Sequence, residues 1–312
     1  MKKRMNLLVS IALVLAILLT ACAPAATAEP EVDPEPIVVE DDLGNEVVLE
    51  EPAQAIISIS PSLTEILFGI GAGERLIGRD SNSTYPEEAL AAVDLGGMWD
   101  GIPVEDILAL EPDLILAGEI FSSEAIAELR ELGLNVYWQA NPEDFEGLYD
   151  NLRDIAVLTG TEDQAEELIG NLSERVATLD EKLADVEEMP LVFYELDASE
   201  PANPYTTGAG THISFVINRA KSRNLGDILE GEWVKISSEE LIAQDPDVIL
   251  LADALYGVTP ESLAERAGWE ELKAVQEGEI YPFDPFILSV PGPRLVDGYE
   301  QLAEILHPEI VE

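Results

Sequence analysis

The sequence predicts an α/β protein of two related lobes with largely parallel sheets, joined by one long connecting α-helix. Three observations lead there. Short apolar, β-rich runs alternate with amphipathic helical stretches, the pattern of parallel α/β layers. A twelve-residue segment then recurs at a constant offset of 134, so that Glu105-Asp-Ile-Leu-Ala-Leu-Glu-Pro-Asp-Leu-Ile-Leu116 matches Glu239-Glu-Leu-Ile-Ala-Gln-Asp-Pro-Asp-Val-Ile-Leu250 with six identities. Each copy reads as a short helix, a Pro-Asp turn and a buried strand, and so long a period means two similar units rather than a solenoid. Between the copies, Ala165, Leu168, Ile169, Leu172, Val176, Leu179, Leu183 and Val186 fall at three- and four-residue steps, the apolar stripe of a single helix.

The elements follow in chain order. Met1-Lys2-Lys3-Arg4 is a short cationic start, and residues 7–19 are apolar. That run is too short to span a bilayer but suits an export signal. It ends in Leu19-Thr-Ala-Cys22, which resembles a bacterial lipobox and makes the only Cys of the chain a lipidation site. Residues 1–21 are thus expected to be a signal peptide. Residues 22–36, rich in Pro, Ala and acids, are expected to form a tether with little to bury.

The first lobe is expected over 37–160, with strands at 55–60, 75–79, 113–117 and 135–139 and helices near 63–69, 104–110 and 125–132. Ser62-Leu-Thr-Glu65 fits a capping box at a helix start. The connecting helix occupies 161–189, about 25 residues and near 40 Å long at 1.5 Å per residue, and Met189-Pro190 ends it. The second lobe fills 190–312, with strands at 191–196, 247–251 and 279–283.

Composition narrows the function. With 63 acidic and 16 basic residues the formal net charge is −47, which leaves no basic footprint for nucleic acid. One Cys and two His exclude disulfide scaffolds and Cys-cluster metal sites, and no cofactor is expected. Apolar residues at 47% are too many for a disordered acidic chain. Gly69-Ile-Gly-Ala-Gly73 follows a helical pattern and lacks the third glycine of a dinucleotide loop, and no nucleophile elbow, His-Glu-x-x-His or P-loop occurs. An enzyme is therefore not expected. The remaining enzymatic alternative is a surface-anchored hydrolase using paired carboxylates, for which no local spacing speaks.

Ile59-Ser-Pro-Ser-Leu-Thr-Glu-Ile-Leu-Phe68, the two helix-Pro-Asp-strand repeats, Tyr205-Thr-Thr-Gly208 and Pro291-Gly-Pro-Arg-Leu295 stand in the order found in the substrate-binding proteins of ABC importers whose lobes are joined by one helix. The chain resembles that class from about 56 to 308, and most closely its cobalamin-binding members. The resemblance implies a ligand cleft between the lobes and an extracytoplasmic monomer, anchored to the cell membrane by its lipid. It also implies delivery of a cobalamin-like cobalt corrinoid to a permease with its ATPase subunits, with a ferric siderophore or haem as the alternative cargo.

Residue by residue, the resemblance implies that Trp99 and Trp233 contact the corrin, each six residues before a repeat glutamate, with Tyr205 at a third aromatic position. Phe286 is a further ligand-binding candidate, although its loop, 284–290, carries Ile287 and Leu288 where polar contacts are expected. Aromatic faces suit a wide amphipathic disc. His212, beside a Gly-rich loop, could ligate cobalt or haem iron. Glu105 and Glu239 are implied as docking residues that meet arginines of the permease, against the plain alternative of acids that complement a helix dipole. Trp138 and Trp269 lie among apolar positions and read as packing, and His307 as structural.

Overall fold

Those apolar runs become strands in the computed structural model, which describes residues 35–98 and 101–311. The signal segment, Cys22, nearly all of the tether and Trp99 lie outside the described residues. All seven expected strands are present within one or two residues of their expected ends.

A hairpin of β1 (Ile37–Glu40) and β2 (Glu46–Leu49) comes first among the described residues. The first lobe is then a five-stranded parallel sheet of β3 (Ile56–Ser58), β4 (Leu76–Arg79), β5 (Val93–Asp94), β6 (Leu114–Gly118) and β7 (Val136–Gln139), in the order β5-β4-β3-β6-β7. The second lobe holds β8 (Leu191–Glu195), β10 (Arg223–Asn224), β12 (Val248–Leu251) and β13 (Ile280–Pro282), parallel in the order β10-β8-β12-β13. An antiparallel ribbon of β9 (Tyr205–Thr207) and β11 (Trp233–Lys235) stands beside it.

Helices cover the sheets: α1 (Pro61–Gly69), α2 (Val104–Ala109), α3 (Ser123–Glu131), α4 (Phe145–Thr159), α5 (Glu162–Leu183), α6 (His212–Arg219), α7 (Ser238–Gln244), α8 (Pro260–Leu263), α9 (Lys273–Glu277), α10 (Leu295–Leu306) and α11 (Pro308–Val311). One apolar core runs without a break from β3 and α1 through α4 and α5 into β8, α6 and α10, while each sheet has its own second core on the other face. The lobes therefore share a hydrophobic back. There Phe145 of α4 meets Phe215 of α6 edge-on, with ring centroids 5.3 Å apart, and Tyr299 of α10 at 5.6 Å. Asp180 of α5 accepts from Tyr299 Oη at 2.7 Å and pairs with Arg219 at 2.6 Å.

The connecting helix α5 is shorter than expected, 22 residues from Glu162 to Leu183, or about 33 Å. Asp185, Glu187 and Glu188 would put three carboxylates at the negative end of the helix dipole, and the chain leaves the helix before them. Val186 still packs on the core, but from a turn. The buried stripe is otherwise as the periodicity has it, with Ala165, Ile169, Leu172, Val176, Leu179 and Leu183 inside. Each Leu, Ile or Val so buried contributes about 2 kcal/mol.

The repeat folds as α2–β6 and α7–β12. Glu111 and Asp245 hold the same left-handed conformation, φ 50° and 48°, between helix and strand. Asp113 accepts from the backbone N–H of Gln54 at 2.8 Å and of Ala55 at 3.1 Å, beside β3, while Asp247 accepts from Leu191 N–H at 2.8 Å, at the start of β8. The Pro-Asp of each copy thus pins the start of the neighbouring central strand, the structural reason the pattern recurs.

The expected capping box is not formed. Proline at the first helical position starts α1 two residues earlier, after Ser60, with no side-chain cap. Ser62 bonds the Ser60 hydroxyl at 2.9 Å, and Glu65 turns away to a partner in the other lobe.

Candidate functional site

In an open parallel sheet, loops from different strands converge at the carboxyl ends, and a crevice opens where the strand order reverses. The order reverses between β3 and β6 in the first lobe, and between β8 and β12 in the second. The segments that follow β3 and β4 in the first lobe and β13 in the second meet in a cavity of about 200 Å³ lined by Pro61, Glu65, Asn82, Thr84 and Tyr85 from the first lobe and Phe286, Val290 and Arg294 from the second.

Each lining residue has a local cause. Asp80, just past β4, accepts from the N–H of Asn82 at 2.7 Å and of Ser83 at 2.6 Å, folding the loop that presents Asn82, Thr84 and Tyr85. In the second lobe Asp284 accepts from Phe286 N–H at 3.0 Å and turns that ring outward, 37% exposed. Pro291-Gly-Pro-Arg then crosses to α1. A Cβ on Gly292 would sit 3.1 Å from Glu65 Oε2 and 3.4 Å from Ser62 O, so any larger residue there would press on the Glu65 carboxylate.

This approach joins Arg294 to Glu65 in a two-pronged ion pair across the cleft, with Nε at 3.1 Å from Oε2 and Nη2 on Oε1. The Arg294 guanidinium also lies 3.8 Å from the centroid of the Tyr85 ring. Glu65 is nearly closed off, its side chain 3% exposed against 17% for Arg294. Burial pushes the Glu65 carboxyl up to about 6, against the opposing pull of Arg294, with Asp297 and Asp284 adding to the rise.

Tyr205 and Trp233 do not line this cavity. They sit on the β9–β11 ribbon, which leaves the carboxyl end of β8 through residues 196–204, and both remain exposed, at 39% and 46%. The register sets Lys235 opposite Tyr205, and its ammonium lies 4.8 Å from that ring while also pairing with Glu200 at 3.0 Å. Trp233, opposite Thr207, meets the His212 ring edge-on at 6.3 Å.

His212 begins α6 after Thr211, whose hydroxyl accepts from Ser214 N–H at 3.1 Å. Burial pulls its imidazole down to about 4, against a hydrogen bond with the Leu288 backbone, so the ring is neutral at ordinary pH. Its Nε2 is buried with no hydrogen-bond partner among the described residues. No group of three or more His, Cys, Asp or Glu among the described residues could hold a metal ion. His307 Nε2 bonds Ala220 O at 3.0 Å, and Trp138 and Trp269 are buried.

Glu105 and Glu239 are both exposed in the first turn of their helices, α2 and α7. Met98 and Gly101, which flank the undescribed Trp99, border an apolar groove of about 690 Å³ with Ile102, Phe121 and Leu132 at the carboxyl end of β6.

Residues 56–285 match the periplasmic binding protein family. The chain is 30% identical over 319 residues, 99% of each chain, to an uncharacterized ABC transporter substrate-binding lipoprotein of Bacillus subtilis. Among solved structures, the vitamin B12 binding protein BtuF of Vibrio cholerae is 27% identical with a TM-score of 0.71, over 83% of this chain and 98% of that one. The haem-binding protein RhuT of Roseiflexus is 25% identical with a TM-score of 0.73, over 83% and 100%. Two lobes around a cleft, a continuous back and these matches agree: the chain belongs to the periplasmic binding protein family and is a substrate-binding protein of an ABC importer of the B12, haem or siderophore type.

Proposed function

We propose that the cargo is cobalamin or a related corrinoid, taken up in the cleft and handed to the importer's permease and ATPase subunits. The observation that carries this reading is the set of half-exposed aromatic faces, Tyr205, Trp233 and Phe286, at the carboxyl ends of one sheet. Such faces suit a broad disc with a polar rim. The likeness to a B12 binding protein supports it. The competing cargo is haem, favoured by the likeness to RhuT and by the unpartnered Nε2 of His212. Titration of the purified mature domain with cyanocobalamin, haemin and a ferric hydroxamate decides between them. Cyanocobalamin at 100 times its dissociation constant stabilises the fold by about 2.7 kcal/mol, and no rise in melting temperature with it would overturn the corrinoid reading.

On this reading Glu105 and Glu239 dock the two lobes on basic residues of the permease. Exposed charges of this kind act mainly on association rate and orientation and are screened by salt. Changing both to alanine is expected to slow association with the permease tenfold or more at low salt and to leave cargo affinity unchanged, as surface-binding kinetics would record. Equal rates for the double variant would remove the docking role. Cys22 carries the anchor, so Cys22→Ser is expected to move the protein from the membrane fraction to the soluble one. Retention in the membrane fraction would point to an uncleaved signal instead.

A further inference from the structure

We infer that Glu65 acts as a charge filter in the cleft: by neutralising Arg294 it makes the site favour cargo that presents uncharged amides there over cargo that presents carboxylates, catecholates or phosphates. The inference rests on the cleft being the cargo site and names the class of cargo it selects.

The chain has 16 Lys and Arg, of which Lys2, Lys3 and Arg4 lie in the signal segment; the other thirteen fall among the described residues. Arg294 alone of these lines the cavity. An anionic chelate would look to it, since a guanidinium offers a planar fork to carboxylate or phosphate. One edge of that fork is already taken. Nε and Nη2 both go to Glu65, and the Tyr85 ring covers the guanidinium face. Asp284 and Asp297 add negative charge close enough to act on Glu65 itself.

An incoming anion could take that edge only by displacing Glu65 from Arg294. It would leave a carboxylate, 97% enclosed, without its partner, the costly way to break a buried pair. An amide-rimmed ligand faces no such exchange. It meets a neutral ion pair whose outer edge, with Asn82 and Thr84, offers ordinary polar contacts. The Glu65–Arg294 pair also explains why an arginine can line the cleft of so acidic a protein without making it a receptor for polyanions.

Two measurements test this on the full mature domain. The first needs no cargo. At constant ionic strength, inorganic pyrophosphate is expected to leave the melting temperature of the wild-type protein unchanged and to raise that of Glu65→Gln, with the rise lost in Glu65→Gln/Arg294→Gln. Circular dichroism of each variant confirms the fold. Stabilisation of the wild type by pyrophosphate that Arg294→Gln removes, or none in a folded Glu65→Gln, overturns the filter.

The second compares cyanocobalamin with its side-chain monocarboxylic acids, ligands of one shape in which an amide becomes a carboxylate. Wild type is expected to prefer the amide about tenfold for at least one monoacid, and Glu65→Gln to lose that preference. Preference unchanged in Glu65→Gln would also refute the inference. If cyanocobalamin does not bind at all, the corrinoid reading falls, while the pyrophosphate result still decides the filter.

Discussion

Trp233→Ala is expected to weaken cyanocobalamin binding about thirtyfold while leaving the fold intact. The Trp233 side chain is about half exposed in the free protein, so truncating it removes little buried surface and the melting temperature should shift by no more than a few degrees. Against a corrin face the same ring would be covered, and an aromatic anchor enclosed on binding typically costs 2 kcal/mol or more when truncated. Isothermal titration gives the ratio. A second readout is independent of cargo. Burial holds the His212 imidazole down to about 4, and Trp233 is the ring lying against it. Opening that side should raise the His212 titration midpoint toward the ordinary value near 6.5, visible in the proton or carbon resonances of the ring. A raised midpoint with unchanged affinity would place Trp233 as a lid over His212 and not as a cargo contact.

The lobes were legible because burial leaves its mark on local sequence. Ile56-Ile57, Leu114 to Leu116 and Val248 to Leu251 are apolar runs fully inside parallel sheets, where both faces are covered, and they appear as unbroken strings. Less visible were the hairpin of β1 and β2 and the β9–β11 ribbon. Their strands are three or four residues long, and Tyr205-Thr-Thr reads equally well as a loop. Helix α4 passed unnoticed in front of the stronger stripe of α5.

Glu65, Tyr85 and Arg294 were not among the expected site residues, because their partnership exists only in space: Glu65 and Arg294 are 229 residues apart. A signal was nevertheless present. Leu63, Ile66, Leu67 and Phe68 surround Glu65, and an acid in so apolar a helix must be paired if it is buried. Arg294 stands out in the same way after Pro291-Gly-Pro, in a chain with few cations. The twin glutamates 105 and 239 were conspicuous for the opposite reason, since the internal repeat supplies its own alignment.

The cross-cleft pair carries the second large expectation. Arg294→Met should destabilise the protein by about 3 kcal/mol at pH 8, and by distinctly less at pH 5, because it leaves Glu65 buried without its counter-charge. The sign follows from the carboxyl's environment. In the wild type Glu65 titrates near 6, above its unfolded value of 4.5, since burial outweighs the pull of Arg294. A raised folded-state midpoint contributes stability that is fully present below 4.5 and is lost as pH climbs through about 6. Removing Arg294 deletes the opposing pull, moves the midpoint higher still, and extends that loss further up the pH scale. The difference between variant and wild type must therefore widen from pH 5 to pH 8, which urea unfolding at the two values would measure. In Glu65→Gln/Arg294→Met no carboxyl remains at that position, and the widening should vanish. A gap of the same size at both pH values would mean that the guanidinium stabilises the cleft through its stacking on Tyr85, and that the charge of Glu65 is held by something other than Arg294.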